Sequence, residues 1–377
     1  MATIGILGGG QLARMLAIAG APLGHRFLVV DNAQDACAGQ VAPVLRADWR
    51  DFDQLQKFAD QVDVATFDFE NVPAETAQWL TRHTRVFPNP AALAVAQDRL
   101  QEKTLFGEIG LDTPEFAAVD CIEDLQAAVE KTGLPAILKT RRLGYDGKGQ
   151  FVLRQHSDIA SAWQALGGAP LILEAFVPFD SEISVIAVRS RSGEFRHYPL
   201  TRNWHQAGIL SASLAPLALD EEVERRAVAR ARALAERLDY VGVFALELFL
   251  CKGKLLGNEM APRVHNSGHW TIEGTACSQF ENHVRAVLGL PLGDTQALGH
   301  SVMLNWIGEL PDATPVLAEA RGHWHDYGKS PREGRKVGHA TLCADSAGEM
   351  IDRLERVGRA LNRAEQVRPV IEVLGGR

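Results

Sequence analysis

The chain has 377 residues, 46% hydrophobic and 23% charged, an ordinary globular mixture long enough for two or three domains. Its 39 Lys and Arg against 47 Asp and Glu give a net charge of −8, which excludes a general nucleic-acid binder, because that electrostatics needs a basic face. The five cysteines, Cys37, Cys121, Cys251, Cys277 and Cys343, form no C-x-x-C pair and are expected to be reduced thiols; with no signal peptide and no apolar run long enough to span a bilayer, a cytoplasmic protein without membrane partners is expected.

Residues 1–90 alternate short apolar runs (3–7, 27–30, 64–67, 86–87) with helical patterns, such as the stripe of Leu12, Met15, Leu16 and Ala19. That alternation predicts a Rossmann-like, doubly wound parallel α/β domain. Gly8-Gly9-Gly10-Gln11-Leu12-Ala13 fits G-x-G-x-x-A between the first strand and helix, and Asp31 ends the second apolar run. The spacing points to a dinucleotide site, or to another anion at a helix N-terminus. Phe69-Glu70-Asn71-Val72 lies just past a strand, so Glu70 either accepts hydrogen bonds from a substrate or caps the turn at Pro73.

Pro88-Asn89-Pro90 marks a boundary, and one helix is expected over 91–108, with Arg99 and Lys103 on one face as a solvated pair or a phosphate clamp. In 134–150 an apolar run delivers Lys139 to a segment bearing Gly144, Gly147 and Gly149: a polyphosphate cradle, or a surface hairpin with a glycine-rich turn. The apolar strand 170–177 runs into a connector suited to a planar base. Alternation over 182–188 gives another strand, His205 is placed in a polar loop, and a helix from Asp220 to near Tyr240 serves packing only.

Two apolar strands flank Lys252-Gly253-Lys254 and predict a hairpin. Pairing symmetric about Gly253 sets Glu247 opposite Glu259, with Cβ atoms about 5 Å apart, a like-charge conflict. A divalent cation resolves it, and all-oxygen ligation favours Mg²⁺, with Asn258 as an extra oxygen; the alternative is a register with one glutamate facing outward. Arg263, His265 and Asn266 follow on a loop as donors for an anion or oxyanion. Near the C-terminus Gly328-Lys329-Ser330 imitates a phosphate-loop motif, but Pro331 follows instead of a helix; Lys329, Arg332, Arg335 and Lys336 remain as a phosphate seat.

Lys139, Tyr145-Asp146-Gly147-Lys148-Gly149-Gln150, Glu174-Ala175-Phe176-Val177, Glu182, and Glu247 with Asn258-Glu259, in that order, resemble the ATP-grasp enzymes. With Gly8 to Leu12, Phe69-Glu70-Asn71 and Arg263 to His269, the whole chain is similar to the N5-carboxyaminoimidazole ribonucleotide synthetase family of purine biosynthesis. Arg202 departs from the acid many members carry there and receives no role. The resemblance implies an α/β and α+β architecture: an N-terminal preATP-grasp domain (1–90), an ATP-grasp domain of two lobes (91–300) and a small C-terminal domain (301–377), in a homodimer using Mg²⁺. It also implies carboxylation of 5-aminoimidazole ribonucleotide with bicarbonate and ATP.

Carried over by residue, the resemblance implies ATP contacts at Arg99, Lys139, Tyr145, Asp146, Gly147, Lys148, Gly149, Gln150, Glu174, Ala175, Phe176, Val177, Glu182, His205, Asn258 and Glu259, and metal ligands at Glu247 and Glu259. Ribonucleotide contacts would be Gln11, Glu70, Tyr145, Asp146, Lys148, Arg263, His265, Asn266, Lys329, Arg335 and Lys336. Arg263 would hold bicarbonate and then carboxyphosphate, Lys139 would neutralise phosphoryl charge, and Asp146 would accept an amine proton. On this reading the glycine turn meets the ribonucleotide instead of a nicotinamide dinucleotide.

Overall fold

The computed structural model describes residues 1–144 and 149–376, so Tyr145, Asp146, Gly147 and Lys148, and the lid role expected of them, lie outside the described residues. The N-terminal part is a parallel sheet of β1 (Thr3–Leu7), β2 (Arg26–Asp31), β3 (Val44–Arg46), β4 (Val64–Phe67) and β5 (Arg85–Val86), in the order β3-β2-β1-β4-β5. This is the doubly wound order the alternation predicts. The strand order reverses between β1 and β4, so the ends of these two strands line the crevice where ligands of such sheets collect. The edge strand β3 is three residues long and leaves no periodic signal.

The expected helix over 91–108 is two helices, Pro90–Ala96 and Arg99–Glu108. The break has a local cause: the Asp98 side chain accepts from the amides of Leu100 and Gln101 and so starts a new helix. Next come β6 (Phe116–Val119), β7 (Ala136–Thr140), β8 (Gln150–Leu153) and β9 (Leu171–Ala175), an antiparallel sheet in the order β6-β9-β7-β8, covered by helices Ile122–Thr132 and Asp158–Leu166 around Leu125, Leu138, Leu153 and Leu173.

The largest sheet holds β10 (Ser181–Arg189), β11 (Phe195–His197), β12 (Thr201–Gln206), β13 (Ile209–Ala215), β14 (Gly242–Cys251), β15 (Lys254–Ala261), β16 (His300–Ile307), β17 (Gly322–Asp326) and β18 (Lys336–Ala344). Its order is β15-β14-β10-β12-β13-β16-β18-β17, with β11 paired to β10. His205 therefore sits on strand β12, not in a loop: it pairs with Leu210 of β13 beyond a local irregularity after Trp204. Polar residues at a frayed strand end made the segment read as a loop.

The hairpin β14–β15 sets Glu247 opposite Glu259, as the charge argument requires, but by another route. Its turn is the two residues Lys252-Gly253, both with positive φ (49° and 77°), and Cys251 pairs with Lys254. Such a turn fits the twist of a hairpin. Carried on from that turn, the register would offset the two glutamates by one residue. A bulge absorbs the difference: Leu248 pairs with Gly257 while Glu247 pairs with Glu259, leaving Asn258 as the extra residue.

Candidate active site

One half of the candidate site is built on helix Arg99–Glu108 and strands β7, β9, β14 and β15. Lys139, in the last turn-ward half of β7, lies with its Nζ 3.0 Å from Glu174 Oε2. Glu174 is buried, and although burial works against its charge, the ammonium groups of Lys103 and Lys139 hold its carboxyl down at about 2. Arg99 Nη1 is 3.2 Å from Glu259 Oε2. Glu102, also buried, accepts the Met260 amide at 2.6 Å, and burial together with nearby Glu259 pushes its carboxyl up to about 8. Two side chains of one helix, Arg99 and Glu102, thus hold the strand that carries Glu259.

Glu247 faces His265, whose Nε2 is 3.0 Å from Oε1. Burial opposes ionisation of Glu247, but this histidine outweighs it and brings the carboxyl to about 2. His265 in turn contacts Ser267 Oγ at 2.8 Å through Nδ1. Glu247 is therefore held as a carboxylate, and the ladder sets Glu259 opposite it on the neighbouring strand. Two carboxylates opposed across the ladder, with Asn258 as the bulge residue next in the chain, offer hard oxygen donors, and that chemistry fits Mg²⁺.

Further along this half of the site, Glu174 and Ala175 close β9 and Phe176 and Val177 follow. The amides of Ala175 and Phe176 bond to the carbonyls of Glu115 (2.8 Å) and Pro135 (3.1 Å). Glu182 of β10 contacts His205 Nδ1. Burial alone would lower the His205 pKa, but the Glu182 carboxylate reverses this and raises it. Gly149 has φ 70°, and a Cβ there would come within 2.7 Å of Thr140 Oγ1; the neighbouring Gln150 pairs with Lys139. Only glycine satisfies both constraints at position 149.

The second half of the site gathers at the crevice between β1 and β4. Glu70 does not cap the following turn: its carboxylate forms a bidentate pair with the Arg263 guanidinium, which contributes a 2.9 Å contact from Nη2 to Oε1. Burial resists the Glu70 charge, but Arg263 holds the carboxyl at about 2. Asn266 is buried and both its side-chain atoms, Nδ2 and Oδ1, have no hydrogen-bond partner among the described residues. Lys329 reaches across to donate to Gln11 Oε1 at the start of the first helix. Arg335 donates to Ser330 Oγ at 2.9 Å and lies 3.5 Å from Asp35. Lys336 opens β18.

Two carboxylates here escaped the sequence reading or change their meaning. Asp68, just past β4, accepts the Gly10 amide, and Asp31 accepts the amides of Gly9 and, at 2.7 Å, Ala33. Asp31 is thus spent on its own turn, where a dinucleotide enzyme would offer it to a ribose. Asp68 had one signal available: an acid at the carboxyl end of a parallel strand beside a glycine turn. Lys103, read with Arg99 as a solvated pair or a phosphate clamp, is completely buried and bonded to the carbonyls of Gly257 (3.0 Å) and Asn258 (2.8 Å).

Family models match along the chain in sequence: the ribonucleotide synthetase preATP-grasp domain over residues 1–97, the ATP-grasp domain over 104–280 and the phosphoribosylaminoimidazole carboxylase C-terminal domain over 301–353. The chain is 55% identical over 350 residues to the N5-carboxyaminoimidazole ribonucleotide synthase of Pseudomonas aeruginosa, covering 91% of this chain and 95% of that one. The crystal structure of N5-carboxyaminoimidazole ribonucleotide synthetase from Thermus thermophilus superimposes with a TM-score of 0.91 at 52% identity, covering 94% of this chain and 98% of the other. The Aspergillus clavatus enzyme in complex with ADP and 5-aminoimidazole ribonucleotide superimposes with a TM-score of 0.89 at 29% identity, covering 96% and 99%. Sequence, fold and site agree: the chain belongs to the N5-carboxyaminoimidazole ribonucleotide synthase family of ATP-grasp ligases.

Proposed function

We propose that this chain carboxylates the exocyclic amine of 5-aminoimidazole ribonucleotide with bicarbonate, converting ATP to ADP and phosphate. The observation that carries the reading is the position of the loop after β15. From Glu259 it runs within a few residues to Arg263, which is paired with Glu70 at the β1–β4 crevice, and to His265, which is paired with Glu247 on the phosphate side. One loop therefore faces both a phosphoryl site and a second anion site, as transfer from one to the other demands.

Bicarbonate is a weak electrophile, so its oxygen first takes the γ-phosphoryl group, giving carboxyphosphate, and the substrate amine then receives the carboxyl group as phosphate leaves. Phosphoryl transfer is chiefly positioning and charge neutralisation. Lys139 and Arg99 supply cations for the transferring group, and Arg263 orients bicarbonate by its planar guanidinium once Glu70 yields it. Glu247, Glu259 and Asn258 would hold Mg²⁺, which supplies further neutralisation of phosphate charge when bound. Asn266, with unsatisfied polar atoms, and Gln11, Glu70 and His265 are assigned to the ribonucleotide, with Lys329, Arg335 and Lys336 at its 5′-phosphate. The Tyr145 to Gln150 segment is assigned to both substrates, and Asp146 to the amine proton. Likeness to the family supports a homodimer whose subunits divide at about residues 90 and 300, in a cytoplasmic setting.

The test is ADP release and capture of label from bicarbonate. Turnover should need ATP, bicarbonate and 5-aminoimidazole ribonucleotide together, and should collapse in Asp146→Asn. ADP release at full rate without bicarbonate would overturn the carboxylation.

A further inference from the structure

Glu174 carries a second cation that no step of this mechanism uses. Its Oε2 lies 3.0 Å from Lys139 Nζ and 3.4 Å from Lys103 Nζ, and its side chain is 2% exposed. The two lysines differ in what else holds them. Lys103 has no exposed side-chain surface, projects from helix Arg99–Glu108 and is anchored by the carbonyls of Gly257 and Asn258 at the β15 bulge. Lys139 is 12% exposed at the open end of β7, and among the described residues Glu174 is the partner its ammonium contacts. A buried carboxylate that loses its last counter-ion is left as an uncompensated charge in a medium that solvates it poorly, so it keeps whatever single cation it has. With two ammonium groups on one oxygen, one can leave while the carboxylate stays paired.

We propose that Lys103 is a positioning residue: it is the standing counter-ion of Glu174, and by remaining there it releases Lys139 to move onto the nucleotide phosphates and back. Lys103 touches no substrate itself. Without it, Glu174 retains Lys139 and withholds that cation from ATP. The inference rests on Lys139 serving the ATP phosphates.

Nucleotide binding and steady-state kinetics on Lys103→Met, Glu174→Gln and the double variant test it as a cycle. Lys103→Met should raise both Kd and KM for nucleotide about ten- to a hundredfold, the worth of one charge-assisted hydrogen bond withheld, and leave the ribonucleotide KM unchanged. Adding Glu174→Gln to Lys103→Met removes the charge that detains Lys139, so nucleotide affinity should return to that of Glu174→Gln alone. A lysine that merely props the bulge predicts losses that add, and additive losses would overturn the proposal. A measurement on the unaltered enzyme does not depend on any variant folding: in a crystal structure with a non-hydrolysable ATP analogue, Lys139 should lie on phosphate oxygens and Lys103 should remain on Glu174. Lys139 still on Glu174, or Lys103 departed from it, would refute the assignment. Lys139→Met separates the two layers: unchanged nucleotide affinity removes the phosphate role of Lys139 and this inference with it, whereas weakened affinity alongside additive Lys103 and Glu174 losses removes this inference alone.

Discussion

Asp68 shows how a single carboxylate can be kept where it costs stability. It sits just past β4, against the turn between β1 and the first helix, where a Cβ on Gly10 would come within 2.6 Å of its Oδ2. Burial raises its carboxyl to about 6 from an ordinary 3.8, against the opposing pull of the Gly10 amide, Arg263 and Lys329. An acid with a raised folded-state pKa holds its proton more tightly when folded, so its effect on stability is neutral below the unfolded value and becomes unfavourable as pH rises through the window from 3.8 to about 6. A shift of this size is worth about 3 kcal/mol. Asp68→Asn, which keeps an oxygen for the Gly10 amide but carries no charge, should match the wild-type protein near pH 4 and exceed it by up to about 3 kcal/mol above pH 7. Urea denaturation across that range checks this, and a difference independent of pH would contradict it. A charge retained at such a place, between Arg263 and Lys329, argues for a task in the site: it trims the net positive potential that two cations would otherwise present.

At the scale of elements, the β14–β15 hairpin marks how far the sequence could be read. The opposition of Glu247 and Glu259 was legible because like charges on a ladder demand an explanation, and the pairing exists. The route was not: a symmetric three-residue turn and a two-residue turn with a bulge at Asn258 give the same opposition, and only the tertiary environment chooses between them. That environment comes from helix Arg99–Glu108, whose Lys103 satisfies the bulge carbonyls, and from Gly257, where a Cβ would lie 2.7 Å from Phe106 Cδ2 and 2.9 Å from Leu111 Cδ2. A glycine inside a strand pattern was the available signal for a bulge or close approach. The pairing of Glu70 with Arg263, 193 residues apart, had no local signal at all. Gly257→Ala should therefore do two things: destabilise the protein by about 1–3 kcal/mol through overpacking, and lower kcat because the bulge, and Glu259 with it, must shift. Thermal melts and turnover measured together decide it; a variant with lowered Tm and unchanged kcat would show that the bulge tolerates the shift.

At the scale of the whole molecule, the C-terminal residues complete two structures begun elsewhere in the chain. Ala212–Ala215 of β13 pairs with Ser301–Leu304 of β16, so the large sheet runs from the β14–β15 hairpin into the C-terminal strands. Ala212 and Leu214 share a core with Val302, Leu304, Leu342, Met350 and Leu354, and Gln366 donates to the carbonyls of Ser211 (2.9 Å) and Asn305 (3.1 Å). From the same segment Lys329 reaches Gln11, and the carbonyl of Tyr327 accepts from Gln40 at 3.4 Å, which ties the end of the chain to its beginning. Sequence similarity divides this region as a separate unit, but physically its removal would leave β13 as a bare edge with apolar side chains uncovered on the face where Val302 and Leu304 now lie. Exposed apolar edge strands pair with one another. A chain ended at residue 300 should accordingly aggregate and fail to bind the ribonucleotide, since both its sheet and its phosphate seat would be incomplete. Size-exclusion chromatography and far-ultraviolet circular dichroism give the answer: a monodisperse, fully structured fragment would mean that β10 to β15 hold their fold without the strands that now extend them.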